Sequence, residues 1–421
     1  MGQYRITIFE NDTISDYAAW ATAEDTPVTL RAYAGGVSGD GNVLLTQTGN
    51  VLGDLAIQAR DATITENSTI TDGDAWNTLG GTTTLNPGTS GNRGVALDNL
   101  SNQLGALVVT GNPSDVLITD NTDLTQGAAW TIGAAPVTVD ARAHAIDLSH
   151  AGNVFGDLAV VTENGVPSSL SVRENDAITQ PGPWALLGVP VTLHAENDAA
   201  ITVADSANQL GDLTVTGGVV TIRENDAITQ GDAWTTTGTT SLDATDNAIT
   251  LDALANVLGD LALANTSDAD ITEDDDITQA GSWSLADAAI ELNAQTHDVL
   301  LTEATNVLGG LTVAGANAHI VENDLISDAA GWNVPGLTTL AADTHDIVLD
   351  ANPAGNLGTV AVASAGNAEI RDVDGLVFDT STVAGRLAVQ AGGEVTRWRD
   401  STAGTPVASE WRWLCHPCEY R

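Results

Sequence analysis

The sequence predicts an all-β fold: a parallel β-helix (β-solenoid) of about seven and a half repeats of ~50 residues, with roughly two coils per repeat. Three observations predict it. Trp20, Trp76, Trp130, Trp184, Trp234, Trp283 and Trp332 recur in steps of 56, 54, 54, 50, 49 and 49 residues. A second marker, Asn-x-Leu/Phe-Gly, starts at Asn50, Asn102, Asn153, Asn208, Asn256 and Asn306, and a shortened copy follows at Asn356-Leu357-Gly358. Its full copies are spaced by 52, 51, 55, 48 and 50 residues, so two unrelated markers drift together at one period. Between them lie short strand-and-turn units, and no window of ~11 residues carries the i, i+3, i+4, i+7 stripe of an amphipathic helix.

One repeat shows the local logic. Val219-Val220-Thr221-Ile222-Arg223 alternates apolar and polar residues and reads as a half-buried strand. Glu224-Asn225-Asp226 reads as a turn, because short polar side chains bond their own backbone there. Ala227-Ile228-Thr229-Gln230 is a second short strand, Gly231-Asp232 a second turn, and Trp234 follows as a packing plug at a corner or as part of an exposed aromatic ladder. Residues 239–244 and 248–252 are further strands, then Asn256-Val257-Leu258-Gly259. The Asn is expected at a corner, with its side chain on unpaired backbone groups, and the Gly in a positive-φ turn. Strands this short and this many per repeat suit coils of ~20–30 residues better than propeller blades. The turn after the first strand recurs as Glu10-Asn11-Asp12, Glu66-Asn67, Asp120-Asn121, Glu174-Asn175-Asp176, Glu273-Asp274, Glu322-Asn323-Asp324 and, in worn form, Asp372-Val373-Asp374. The repeat array is placed at residues 1–394 and a Trp/Arg-rich tail at 395–421.

Charge narrows the function classes. The chain has 13 Arg, no Lys, 56 Asp and Glu, and a formal charge of −43. Such a field repels nucleic-acid phosphates and anionic membrane surfaces, so nucleic acid is not an expected partner. No apolar run approaches the ~18 residues of a spanning helix, so membrane insertion is not expected. Met1-Gly2-Gln3-Tyr4 leads straight into a repeat, and no secretory signal is read there.

No catalytic constellation emerges, and no enzyme or cofactor is expected. The seven His lack metal-ligand spacing; His297-Asp298 and His345-Asp346 share one repeat phase, the mark of a structural position. Arg173, Arg223 and Arg371 also share a phase and read as partners of neighbouring acids. Parallel β-helices carry polysaccharide lyases and hydrolases, but the acidic turns here are repeated rather than unique. The acids Glu174, Asp176, Glu224, Asp226, Glu273, Asp275, Glu322 and Asp324 are expected to stack on one edge as a solvated ridge, with weak calcium binding as the sharper alternative.

The tail differs from the body. Four Arg against Asp400, Glu410 and Glu419 give it +1, leaving −44 on the remaining residues. Trp398, Arg399, Trp411, Arg412 and Trp413 are the candidate interface, as a cap on the last coil or a dock for the acidic end of another copy. Cys415-His416-Pro417-Cys418 is a single Cys-x-x-Cys without the second ligand pair that structural zinc needs.

The pattern Gly-x-x-Val-Thr-Ile-Arg-Glu-Asn-Asp-Ala-Ile-Thr, preceded by Leu-Thr-Val-Thr-Gly and followed by Ala-Ile-Thr-Leu-Asp-x-x-x-Asn-x-Leu-Gly, resembles the β-strand repeats of filamentous-haemagglutinin-type bacterial surface proteins over about residues 1–394. The resemblance implies a right-handed parallel β-helix, extracellular or cell-surface display, and adhesive or spacer work. The expected function is a non-enzymatic structural rod: a stalk or adhesin segment whose flank binds a glycan or host-surface protein, or a subunit that self-associates end to end into a filament. A polysaccharide-binding or polysaccharide-degrading β-helix is the alternative.

Overall fold

The computed structural model describes residues 5–23, 26–34, 37–38, 41–78, 80–88, 92–350 and 355–397. Among them every regular element is a strand. The chain forms two compact units, Met1–Gly218 and Val219–Arg421, each a parallel β-solenoid described here by itself.

In the first unit, strands stack on two faces. On one face Val95 pairs with Val116, Val116 with Val137 and Val137 with Leu158, each step being 21 residues. On the other face Ile146 pairs with Leu170, Leu170 with Val191 and Val191 with Leu213. The chain visits the faces alternately, so one coil takes about twenty residues and each visit half of that. Among the described residues the strands of this unit pair in parallel, and the hairpin Tyr33↔Ser38, Ala34↔Val37 is antiparallel.

The second unit repeats the plan. On one face Val220 pairs with Thr240 and Thr240 with Leu261; on the other Ile228 pairs with Ile249, Ile249 with Ala269, Ala269 with Ile290 and Ile290 with Leu311. Two strands, Thr240–Leu251 and Asp260–Thr272, run unbroken from one face onto the other, with register shifts at the corner between Asp243 and Ala248. That corner is turned by Thr245 and Asp246 in the left-handed region, at φ 48° and 67°.

The coil sets the repeat in a way that the sequence period conceals. Trp234 to Trp283 is 49 residues, whereas a coil of this unit takes far fewer, 22 from Ile277 to Val299 and 19 from Val299 to Ala318. A repeat is therefore nearer two and a half coils than the two expected, and equivalent strands fall on alternate faces. Val220–Arg223 lies on one face and its equivalent, residues 268–272, on the other. Ala318–Val321 returns to the first face and Ala368–Asp372 to the second. The first unit alternates likewise: Ala62–Thr65 stacks in the column of Val43 and Thr83, while Val116–Thr119 stacks in that of Val95 and Val137.

The core is the inside of each coil. Along Val220–Arg223 the burial alternates, Val220 and Ile222 inside, Thr221 and Arg223 half-buried. Ile228, Ile249, Ala269, Ile290 and Leu311 then form one inward column, each at most 2 % exposed. Each fully buried Ile or Leu contributes ~1.5–3 kcal/mol, and parallel stacking brings like residues together at ~4.8 Å.

The marker glycines have a different reason from the one expected. Only Gly259, at φ +59°, has a positive φ. In all of them the coil below leaves no room for a Cβ: one built at Gly105, Gly211, Gly309 or Gly358 would lie 2.0, 2.1, 1.9 or 1.8 Å from the carbonyl oxygen of Gly81, Val189, Ala288 or Pro335. Close backbone approach, rather than turn geometry, selects Gly here.

Candidate functional site

The repeated markers converge on one structure, a hub that ties three successive coils together. Its centre is the Asn of Asn-x-Leu/Phe-Gly, which is 0 % exposed in all six full copies. Its Oδ1 accepts the backbone N–H of the repeat Trp at 2.8 or 2.9 Å, pairing Asn50 with Trp20, Asn102 with Trp76, Asn153 with Trp130, Asn208 with Trp184, Asn256 with Trp234 and Asn306 with Trp283. Its Nδ2 donates downward to Asp16, Asp72, Gln126, Gln180, Gln230 or Gln279, the residue that ends the second short strand. The same Nδ2 donates upward to a carbonyl of the coil above, Thr65, Arg173, Thr272 or Val321.

The Trp is the lower half of the hub. Trp76, Trp130, Trp184, Trp234, Trp283 and Trp332 are at most 2 % exposed, so the plug expectation holds for them; Trp20 is half-buried. The indole Nε1 donates to a carbonyl one coil below: Trp76 to Leu55, Trp130 to Leu107, Trp184 to Leu158, Trp283 to Leu261 and Trp332 to Leu311, at 2.9–3.2 Å. The ring thus fills the interior while its one polar atom is satisfied.

The Glu of the Glu-Asn-Asp turn is the upper half, and here the structure corrects the solvated ridge. Glu66, Glu174, Glu224, Glu273 and Glu322 are buried, at most 1 % exposed, as are Asp120 and, at 5 %, Asp372 in the same position. One carboxyl oxygen accepts the N–H two residues after the hub Asn: Leu52 for Glu66, Leu104 for Asp120, Phe155 for Glu174, Leu258 for Glu273 and Leu308 for Glu322. The following Asn or Asp adds a backbone bond to the hub, as Asn175 N–H to the Asn153 carbonyl at 2.8 Å. Asp176, Asp275 and Asp324 are exposed and Asp226 half-buried, and each accepts the N–H of the next residue. Within a unit the turns do not share an edge, because successive copies sit on alternate faces.

The shortened seventh copy of the Asn marker is a phase error in the sequence pattern. Asn356 N–H bonds the Trp332 carbonyl, as Val307 N–H bonds that of Trp283, so Asn356 stands where Val307 does rather than where Asn306 does. Leu357 N–H still meets the carboxyl of Asp372, at 3.1 Å.

Burial of the hub acids has an electrostatic consequence. It pushes Glu66, Glu174 and Glu322 up to about 8, Asp120 and Glu273 to about 7, and Asp372 to about 6. On the surface the expected acid partners of the repeat Arg are present: Arg173 Nε donates to Glu196 at 2.6 Å, and Arg223 and Arg371 lie 3.3 and 3.5 Å from Asp243 and Asp350. The Arg173 hydrogen bond holds Glu196 below the usual carboxylate range.

Sequence reading missed one cluster: Asp275, Asp276 and His297 bring polar atoms within 4.8 Å of one another. The signal was the 21-residue step from Asp276 to His297, one coil, which is invisible until the coil length is known. Asp276 Oδ1 already accepts the N–H of Asp298 at 2.9 Å. Trp398, Arg399, Trp411, Arg412, Trp413 and the Cys415–Cys418 pair lie outside the described residues.

A family model described as repeats of unknown function (DUF5649) matches residues 40–111, 109–162, 196–265, 255–315, 307–363 and 365–406. No curated protein and no solved structure matches the chain.

Proposed function

The chain belongs to the DUF5649 family of repeats of unknown function, and from that premise we propose that it is a non-enzymatic structural protein, a β-solenoid that spaces, displays or assembles. One observation carries the reading. The recurring polar side chains of the hub, the Asn, its Asp or Gln, and the buried Glu or Asp, are committed to bonds between coils. Recurrence of that kind serves stacking, because each coil contacts its neighbours through the same set.

The finer reading follows the resemblance of the repeat to filamentous-haemagglutinin-type sequences: display outside a bacterial cell, as a stalk or adhesin segment or as a filament subunit joined end to end. The formal charge of −43 supports display in bulk solvent. The partners that fit are a glycan, a host or cell-surface protein, or further copies of the chain, and no cofactor is required.

The test is electron microscopy of the purified chain beside incubation with a panel of acidic and neutral polysaccharides. The expected result is discrete particles or fibres and polysaccharides of unchanged length. Shortened polysaccharide products would overturn the structural reading in favour of a β-helix enzyme.

A further inference from the structure

The hub acids have a property that stacking alone does not require. In five repeats one carboxyl oxygen accepts a backbone N–H while the other, Glu66 Oε1, Asp120 Oδ2, Glu174 Oε2, Glu273 Oε2 or Glu322 Oε2, is buried and meets no hydrogen-bond partner among the described residues. An ionised carboxylate calls for donors on both oxygens and is costly to bury without them. Protonation removes the buried charge and keeps one carboxyl oxygen as acceptor of the bond that is present, at the smaller cost of an O–H without an acceptor. We infer that this solenoid folds with its hub acids protonated, so that proton uptake locks coil to coil and an alkaline medium loosens the lock at several repeats together.

The surroundings agree. The charged groups acting on these acids are themselves acids of the same turn: Asp176 on Glu174, Asp275 and Asp276 on Glu273, and Asp324 on Glu322. Glu66 and Asp120 have only neutral partners, the Ser68 hydroxyl and Leu52 N–H in one case, Thr122 and Leu104 N–H in the other. On the coil above, Glu196 is taken by Arg173, and Asp140 by the Arg142 N–H and Asn164. Among the described residues no cation acts on the buried carboxyl in any of the five; Arg93 and Arg142, on the neighbouring coils, donate instead to the side chains of Asn67 and Asn121.

The sign follows from linkage. The folded-state values, about 7 to about 8, lie above the ordinary 3.8 of Asp and 4.5 of Glu. The folded chain therefore binds more protons than the unfolded chain between these limits, and stability falls as pH rises through them.

The experiment compares thermal unfolding of the full chain between about pH 6 and about pH 9 with that of Glu174→Gln, Glu322→Gln and the double variant, and adds an infrared titration of the wild type. Gln keeps the acceptor for Phe155 or Leu308 and cannot ionise. The wild-type midpoint is expected to drop across the window. The variants should drop less, being no more stable than wild type at the acid end and more stable at the alkaline end. The infrared spectrum should show a protonated carboxyl band at neutral pH that disappears by about pH 9. A wild-type midpoint flat across the window, variants that fall in parallel with it, or no protonated band at neutral pH would each overturn the inference. The infrared titration needs no variant, and it decides the matter if the substitutions prevent folding.

Discussion

Glu322 reaches across the gap between two coils to take the backbone N–H of Leu308 at 2.7 Å, while Asn306, two residues before Leu308, donates to the Val321 carbonyl beside that same Glu. The upper coil supplies both of these acceptors and in return donates the Asn323 N–H to the Asn306 carbonyl at 2.8 Å, and none of the three bonds forms unless the register is correct. This reciprocity is what a repeat provides that isolated short strands lack.

Asn306→Ala should be among the most damaging single changes in its repeat. It leaves the buried Trp283 N–H without its acceptor and removes the donor to Gln279 and Val321. The expected loss is ~2–5 kcal/mol, the range for breaking a buried hydrogen-bonded group. Denaturant unfolding measures it, and hydrogen exchange should show the Trp283 amide deprotected first.

The cost of close approach at a marker glycine can be isolated by substitution. Gly309→Ala places a methyl 1.9 Å from the Ala288 carbonyl, whereas a Cβ at Gly281 meets nothing within 4 Å. Gly309→Ala should lower the unfolding midpoint by many degrees or prevent folding, and Gly281→Ala should leave it within about a degree. Equal effects would remove close approach as the cause.

Trp283→Phe keeps most of the apolar filling and loses the bond from Nε1 to the Leu261 carbonyl at 3.2 Å. A cost of ~1–3 kcal/mol is expected, against ~3–5 for Trp283→Ala, which also opens a cavity. Calorimetry on both variants gives the two parts.

The surface ion pairs should matter little. Arg173 and Glu196 are 38 % and 26 % exposed at the side chain, so Arg173→Ala should cost at most ~1 kcal/mol and less in high salt. A loss that is large and insensitive to salt would show that the Arg stem, rather than its charge, is what the coil needs.

Much of this was readable in the sequence. The seven Trp and six Asn gave the period, and the apolar alternation placed the strands. The half coil was not readable, because a period counts residues between equivalent side chains and carries no information about which face the chain occupies on returning. The buried Glu was misread for a different reason. The alternation that puts Val220 and Ile222 inside puts Glu224 inside as well, two residues on, but residue type was given precedence over phase. Asn356 shows the converse: the right residue type, one position out of phase. At the hub, position along the strand decides what a side chain does, and chemistry then makes the position tolerable.

The alternation of faces also bears on how such a chain can grow. Within a unit, adding one repeat inserts an odd number of half-turns, which carries every later copy of a surface feature to the opposite side. Adding two restores the original side. A ligand patch spread over neighbouring repeats would be cut in half by a single duplication and preserved by a paired one, so lengthening in pairs keeps a one-sided surface, while lengthening by ones makes the protein two-sided.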